Sequence, residues 1–362
     1  MGGFPRRGII ILLGLVALWF GADYVYSKVV LNHMATWENS IKRDADGVRV
    51  GCREYTKGEG ETALLLIHGF SDSPALFSKM APALAEKGFT CRVMRLPGFG
   101  KTVKEYGLTS RTRCQRAIKE ELVALRKDHS FVAVVAHSLG GALAIDLLLD
   151  QPELADAVIP IAPQIAVSDE RSPVLSAQTW HTVAGNVVLI TDVVENSFAV
   201  DGHSAEAAAY DLNTPFVPRS VYDMVFKLTD RLAARKKELA VPVLMVLSRE
   251  DKVTDYQAAE ALYEASTAEL KEIHFVEDAG HLIPLDNGWE GVVDRIAVFV
   301  GKVDPESAVA VTPPEEEPAL PEGETTLKTK APSTEDEKPK PGEKKLTPRE
   351  KLLKKFSIPD EE

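Results

Sequence analysis

Val132-Ala-Val-Val-Ala-His137-Ser138-Leu139-Gly140-Gly141 decides how this chain is read. Val132 to Val135 are small or β-branched, the make-up of a buried strand. Leu143 to Leu149 reads as a helix. Between them, Ala136-His137-Ser138-Leu139-Gly140 has the G-x-S-x-G pattern with alanine at the first glycine. A strand that turns into a helix through one serine forces that serine into a strained conformation, and small neighbours two residues before and after avoid a clash across the turn. The hydroxyl then stands above the sheet edge at a helix N-terminus, where N–H groups favour developing negative charge. Ser138 is therefore the expected nucleophile.

Strand and helix patterns alternate outward from this point. Upstream, Val48 to Tyr55 reads as an edge strand, and Thr62 to Ile67 as a central strand ending in His68-Gly69-Phe70. Phe89 to Arg95 ends in Leu96-Pro97-Gly98-Phe99-Gly100, and a helix covers about 110–127. Downstream come a strand at Ala157 to Ile161, one at Val243 to Leu247 ending in Ser248-Arg-Glu-Asp251, and one at Glu272 to Val276 ending in Glu277-Asp-Ala-Gly-His281. Helices fill about 255–267 and 289–300. This alternation predicts an α/β fold, a mostly parallel sheet flanked by helices. Residues 164–240 break the rhythm with scattered aromatics and prolines, and read as an inserted, mostly helical cap.

The ends are of other material. Arg6 and Arg7 precede an apolar run from Gly8 to Tyr26 that is long enough to span a bilayer. Residues 1–31 are thus read as an uncleaved membrane anchor rather than a cleaved leader, because Phe20 spoils the small-x-small site before Ala22. The basic flank predicts a single-pass protein with a cytoplasmic N-terminus and an extracytoplasmic domain. Residues 32–47 read as a juxtamembrane connector and 48–301 as the folded domain, so removing residues 1–31 is expected to leave that domain whole. Residues 302–362 are rich in Pro, Glu, Lys and Thr and are expected to be disordered. Within them Thr347-Pro-Arg-Glu350 suits a capping box for a short helix over 348–356, a candidate site for a protein partner.

The formal net charge of −12 argues against a nucleic-acid partner. Cys52, Cys91 and Cys114 have no metal spacing, and neither have the histidines, so neither a metal nor a cofactor is expected. A serine hydroxyl needs a base within hydrogen-bond reach and a carboxylate to orient that base. Parallel strands collect such groups at their C-terminal ends. His281 is the expected base and Asp251 the expected acid, with Glu250 and Asp255 as rivals; His68 and His137 are expected to serve packing and loop hydrogen bonds.

His68-Gly-Phe70, Leu96 to Gly100, Ala136 to Gly140, Asp251-Lys-Val253 and Ala279-Gly-His281 together resemble the α/β-hydrolase superfamily, most of all its esterase and monoacylglycerol-lipase branch. The resemblance covers residues 62–300. It implies Ser138, Asp251 and His281 as a triad and the backbone N–H groups of Phe70 and Leu139 as the oxyanion hole. The expected activity is hydrolysis of short, medium or lipid-derived carboxylic esters. The alternatives are amide, thioester or aminopeptidase chemistry on the same triad, or a non-catalytic membrane-anchored scaffold. Ala136 in place of glycine, and the absence of a glycine before Asp251, depart from the usual pattern.

Overall fold

The computed structural model describes residues 6–172, 174–196 and 198–304. The expected tail helix over 348–356 lies outside them. Ten α-helices are assigned among the described residues: α1 Arg6–Ser40, α2 Met80–Glu86, α3 Val103–Tyr106, α4 Arg111–Leu125, α5 Leu139–Leu148, α6 Ala177–Val187, α7 Ala205–Ala208, α8 Arg219–Ala233, α9 Tyr256–Ala265 and α10 Trp289–Val303. The strands are β1 Tyr55–Lys57, β2 Thr62–Ile67, β3 Thr90–Met94, β4 Phe131–His137, β5 Ala157–Ile161, β6 Val193–Glu195, β7 Phe216–Pro218, β8 Val243–Leu247 and β9 Lys271–Phe275.

Seven strands form one sheet in the order β1-β3-β2-β4-β5-β8-β9. Only β1 runs antiparallel. Side chains alternate across it as strand geometry requires. Leu65, Ile67, Val132 and Val134 face α4, α5 and α8. Leu64, Leu66, Ala133 and Val135 face α2 and α10. The edge strand starts at Tyr55, later than expected. Residues before it turn instead, because the Asp44 carboxylate accepts from the N–H groups of Asp46 and Val48 while Gly47 and Gly51 take positive φ.

The insertion between β5 and β8 is not purely helical. It holds α6, α7 and α8 together with an antiparallel pair, β6 and β7. Its last helix belongs to the core. Asp146, fully buried on α5, accepts from Arg111 on α4, from Arg231 on α8 and from Arg235 just beyond it. A buried carboxylate needs such partners, and this one ties three helices together.

α1 runs unbroken for 35 residues and continues past residue 31 to Ser40. Its two halves differ. Asp23, Ser27, Val30, Met34 and Trp37 recur at helical spacing and face the domain, with Val30 and Trp37 packed on Phe216. Before Asp23 the helix is apolar all round and exposed, Ile10 and Leu18 by 69% and 70%. It is the one helix among the described residues long and apolar enough to cross a membrane.

Candidate active site

β4 delivers Ser138 to the head of α5. Its backbone sits at φ 52°, ψ −119°, in the positive-φ region that non-glycine residues seldom occupy. Three hydrogen bonds hold it there. Ser138 N–H donates to the Ile161 carbonyl, and the Ser138 carbonyl accepts from Ala142 and Gln164. The strain expected from sequence is thus present and is overdetermined by its surroundings. Gly140 is required by the neighbouring strand: a Cβ there would lie 2.6 Å from the His68 carbonyl oxygen and 2.7 Å from that of Ile67.

His281 and Asp251 reach the same point from β9 and β8. His281 Nε2 lies 3.0 Å from Ser138 Oγ, and Nδ1 lies 2.8 Å from Asp251 Oδ2. Asp251 also accepts from the N–H groups of Val253 and Thr254 and from the Thr254 hydroxyl. Burial pushes its carboxyl up, but the His281 ring and the Thr254 hydrogen bonds outweigh burial, and the group stays below the usual carboxylate range. The rivals lie elsewhere. Glu250 points toward His203, 3.9 Å away, with half of its side chain in solvent. Asp255 caps α9 by accepting from Gln257 and Ala258.

The loop after β2 lies against the nucleophile. A Cβ on Gly69 would approach Ser138 Cβ to 2.9 Å and His137 Nδ1 to 3.0 Å, so only glycine lets the chain pass this close. Phe70 N–H follows on this loop, and Leu139 N–H opens α5. Among the described residues neither meets an acceptor. The two flanking histidines hold loops. His68 Nε2 accepts from Leu96 N–H while Nδ1 donates to the Gly69 carbonyl. His137 Nε2 donates to the carbonyl of His281. Burial lowers both rings to about 3, which keeps them neutral and fixes these tautomers.

Sequence reasoning missed four residues that brace the site. Asp201 comes from the cap, yet its carboxylate accepts from Lys252 N–H and His281 N–H, residues 51 and 80 positions away. It therefore clamps the acid loop and the histidine loop together. Tyr106 Oη accepts from Ser71 N–H just beyond Phe70. Tyr210 donates to Asp72, whose burial raises its carboxyl to about 6. No local pattern marks these residues, because each works through a partner distant in sequence. The rings of Phe70 and of Tyr222 on α8 meet at a tilt, with centroids 5.3 Å apart. Among the described residues no cluster of His, Cys, Asp or Glu suits a metal ion.

A hydroxyl joined in line to an imidazole and a buried carboxylate, beside N–H groups at a helix start, can attack an acyl carbon and hold the oxyanion that results. The chain is 22% identical over 260 residues to a thermostable monoacylglycerol lipase of Bacillus sp. (strain H-257), covering 70% of this chain and 95% of that one. It is 22% identical over 257 residues to a carboxylesterase of Bacillus subtilis (strain 168), covering 70% and 97%. A solved metagenome-derived lipolytic enzyme superposes with a TM-score of 0.59 at 23% identity, over 70% of this chain and 98% of its own. It shares the α/β-hydrolase fold. Residues 58–288 match the family described as Hydrolase_4, serine aminopeptidase S33, and with that match across most of its length the chain belongs to this family of α/β-hydrolases, as an esterase- and monoacylglycerol-lipase-like hydrolase.

Proposed function

We propose that this protein is a membrane-tethered serine hydrolase that cleaves short, medium or lipid-derived carboxylic esters through an acyl-enzyme. The observation that carries the reading is the hydrogen-bonded line from Ser138 Oγ through His281 to Asp251. His281 takes the Ser138 proton as Oγ bonds to the acyl carbon, and returns it to the alcohol as the ester bond breaks. The N–H groups of Phe70 and Leu139 hold the oxyanion. Water, activated by the same ring, then hydrolyses the acyl-enzyme and frees Ser138. Asp251 keeps the ring in the tautomer this requires. α1 is the tether, and Arg6 and Arg7 keep its start in the cytoplasm, which places the hydrolase on the far side.

The full chain in detergent tests this. A fluorophosphonate probe should label the wild type and leave Ser138→Ala unlabelled. A panel of glycerol monoesters and nitrophenyl esters should be turned over, with kcat/KM rising with acyl length and then breaking as the pocket fills. Inert esters beside rapid cleavage of an aminoacyl amide would move the reading to a peptidase. No labelling and no turnover would favour a scaffold.

A further inference from the structure

Asp23 is an acid in the middle of an otherwise apolar stretch, and it is buried. Its partners explain why. Oδ2 accepts from the N–H groups of Leu189 and Ile190, both at 2.7 Å, and Oδ1 accepts from the Thr191 hydroxyl at 2.7 Å. These three residues are the segment that leaves α6 of the cap. The anchor helix and the cap are therefore fastened at the level of Asp23.

That level has a depth. A hydrocarbon core of about 30 Å takes about 20 helical residues, which, counted from Gly8, extends to Ser27. Asp23 lies four residues short of that limit, about 6 Å inside it at 1.5 Å per residue. Whatever is bonded to Asp23 is carried to the same depth, within the range that surface-lying apolar segments reach.

What is carried there is an apolar face left exposed among the described residues. On α6, Gln178 and His181 face α8, where His181 stacks on Phe226 and bonds to Asp223. Arg219 of α8 closes the end of α6 on the carbonyls of Gly185 and Val188. Trp180, Val183 and Val187 recur at helical spacing on the opposite face and are exposed by 44%, 37% and 45%. Leu189 and Ile190 continue that surface by 48% and 37%. Exposed apolar stripes of this kind mark interaction sites.

Resting on the tethered reading above, we propose that Trp180, Val183, Val187, Leu189 and Ile190 form a lipid-facing surface, seated in the leaflet from which α1 emerges and held at that depth by Asp23. The anchor and the cap are then one membrane-seated unit. The roof of the active site rests in lipid, and an acyl ester enters from the bilayer and not from bulk water.

The test uses the full chain in lipid nanodiscs, with an environment-sensitive dye on single introduced cysteines. The native Cys52, Cys91 and Cys114 are buried, which leaves the new thiols to react. Dye sites are Leu12→Cys on the anchor, Val187→Cys and Leu189→Cys on the cap, and Glu264→Cys on α9, which packs on β8 near the far edge of the sheet. In discs of brominated phosphatidylcholine, emission at positions 12, 187 and 189 should fall at least about twofold against unbrominated discs, and emission at 264 should not change. Adding Asp23→Ala should release positions 187 and 189 from quenching and leave position 12 quenched. Quenching at 12 without quenching at 187 and 189 would overturn the lipid-facing surface and keep the tether. A blue-shifted but unquenched signal at 187 would assign the stripe to a protein partner and overturn it equally. No quenching at 12 would remove the tether itself, and the proposal with it.

Discussion

From Phe131 to Leu149 every residue is buried, whereas α6, eleven residues of the cap, buries none. The first region carries Ser138 and is held by packing on both faces of the sheet. The second is held by a few directed polar contacts: Asp223 to His181, Arg219 to the end of α6, and Asp23 to the segment beyond. Packing of the first kind is cooperative and tolerates little change. A cap fastened at discrete points can be loosened at one of them while the sheet stays intact. The division is not complete, since Asp201 belongs to the cap and yet braces both His281 and the loop of Asp251.

Substitutions in the buried region should produce the largest effects on chemistry. Ser138→Ala should lower kcat by about 10⁶ with the melting temperature unchanged, because the alanine still fits the turn while the acyl-enzyme is lost. Asp251→Asn should cost about 10⁴ by favouring the wrong His281 tautomer. Glu250→Gln, which alters a half-exposed group turned toward His203, should stay within about threefold. The reverse ranking would move the acid to Glu250.

Asp201→Ala asks whether the roof takes part in the chemistry. Loss of two N–H partners frees the loops of His281 and Asp251, and misplacement by about 1 Å costs about 10² in kcat. KM should change far less. An unaltered kcat would show the two regions to be independent.

Acid reads the buried region directly. His68 and His137 lie near 3 when folded against about 6.5 unfolded, so the stability they confer is complete above about 6.5 and is lost as pH falls toward 3. Between pH 7 and pH 5 the two together should remove about 4 kcal/mol. Asp72 works the other way. Its folded carboxyl, raised to about 6, makes the fold more stable as it protonates, and returns about 1 kcal/mol over the same interval. Unfolding free energies from urea titrations at the two pH values should differ by a net loss of about 2–3 kcal/mol. In His137→Asn, with one ring left against Asp72, the net loss should fall to about 1 kcal/mol.

The smallest expected effect lies at the junction of anchor and cap. A chain lacking residues 1–21 keeps Asp23, Val30 and Trp37 and should melt like the full protein. A chain lacking residues 1–31 loses Asp23 and Val30, and should melt roughly 5 °C lower. That result would show residues 1–31 to be less separable than their composition implies.

The same contrast explains what could be read from the chain alone. The mostly parallel sheet and the strand-end placement of Ser138, Asp251 and His281 were legible because strand-end loops carry short patterns, such as Ala136 to Gly140 and Ala279-Gly-His281, whose chemistry is local. Asp255 could be set aside only once its bonds to Gln257 and Ala258 were visible. Asp201, Tyr106 and Tyr210 were not legible, since each acts on a residue tens of positions away. One signal was present and passed over. The spacing of Asp23, Ser27, Val30, Met34 and Trp37 marks a docking face that continues past residue 31, and an apolar run with a helical end hid it.

The clamp made by Asp201 also orders events during synthesis. Ser138 leaves the ribosome 143 residues ahead of His281, with Asp201 between them. At about 5–20 residues per second, the hydroxyl waits on the order of ten seconds for its base. α1 is made before either of them. On the triad proposed above, a nascent chain therefore carries no working nucleophile until α1, Asp201 and the loop of His281 have all emerged.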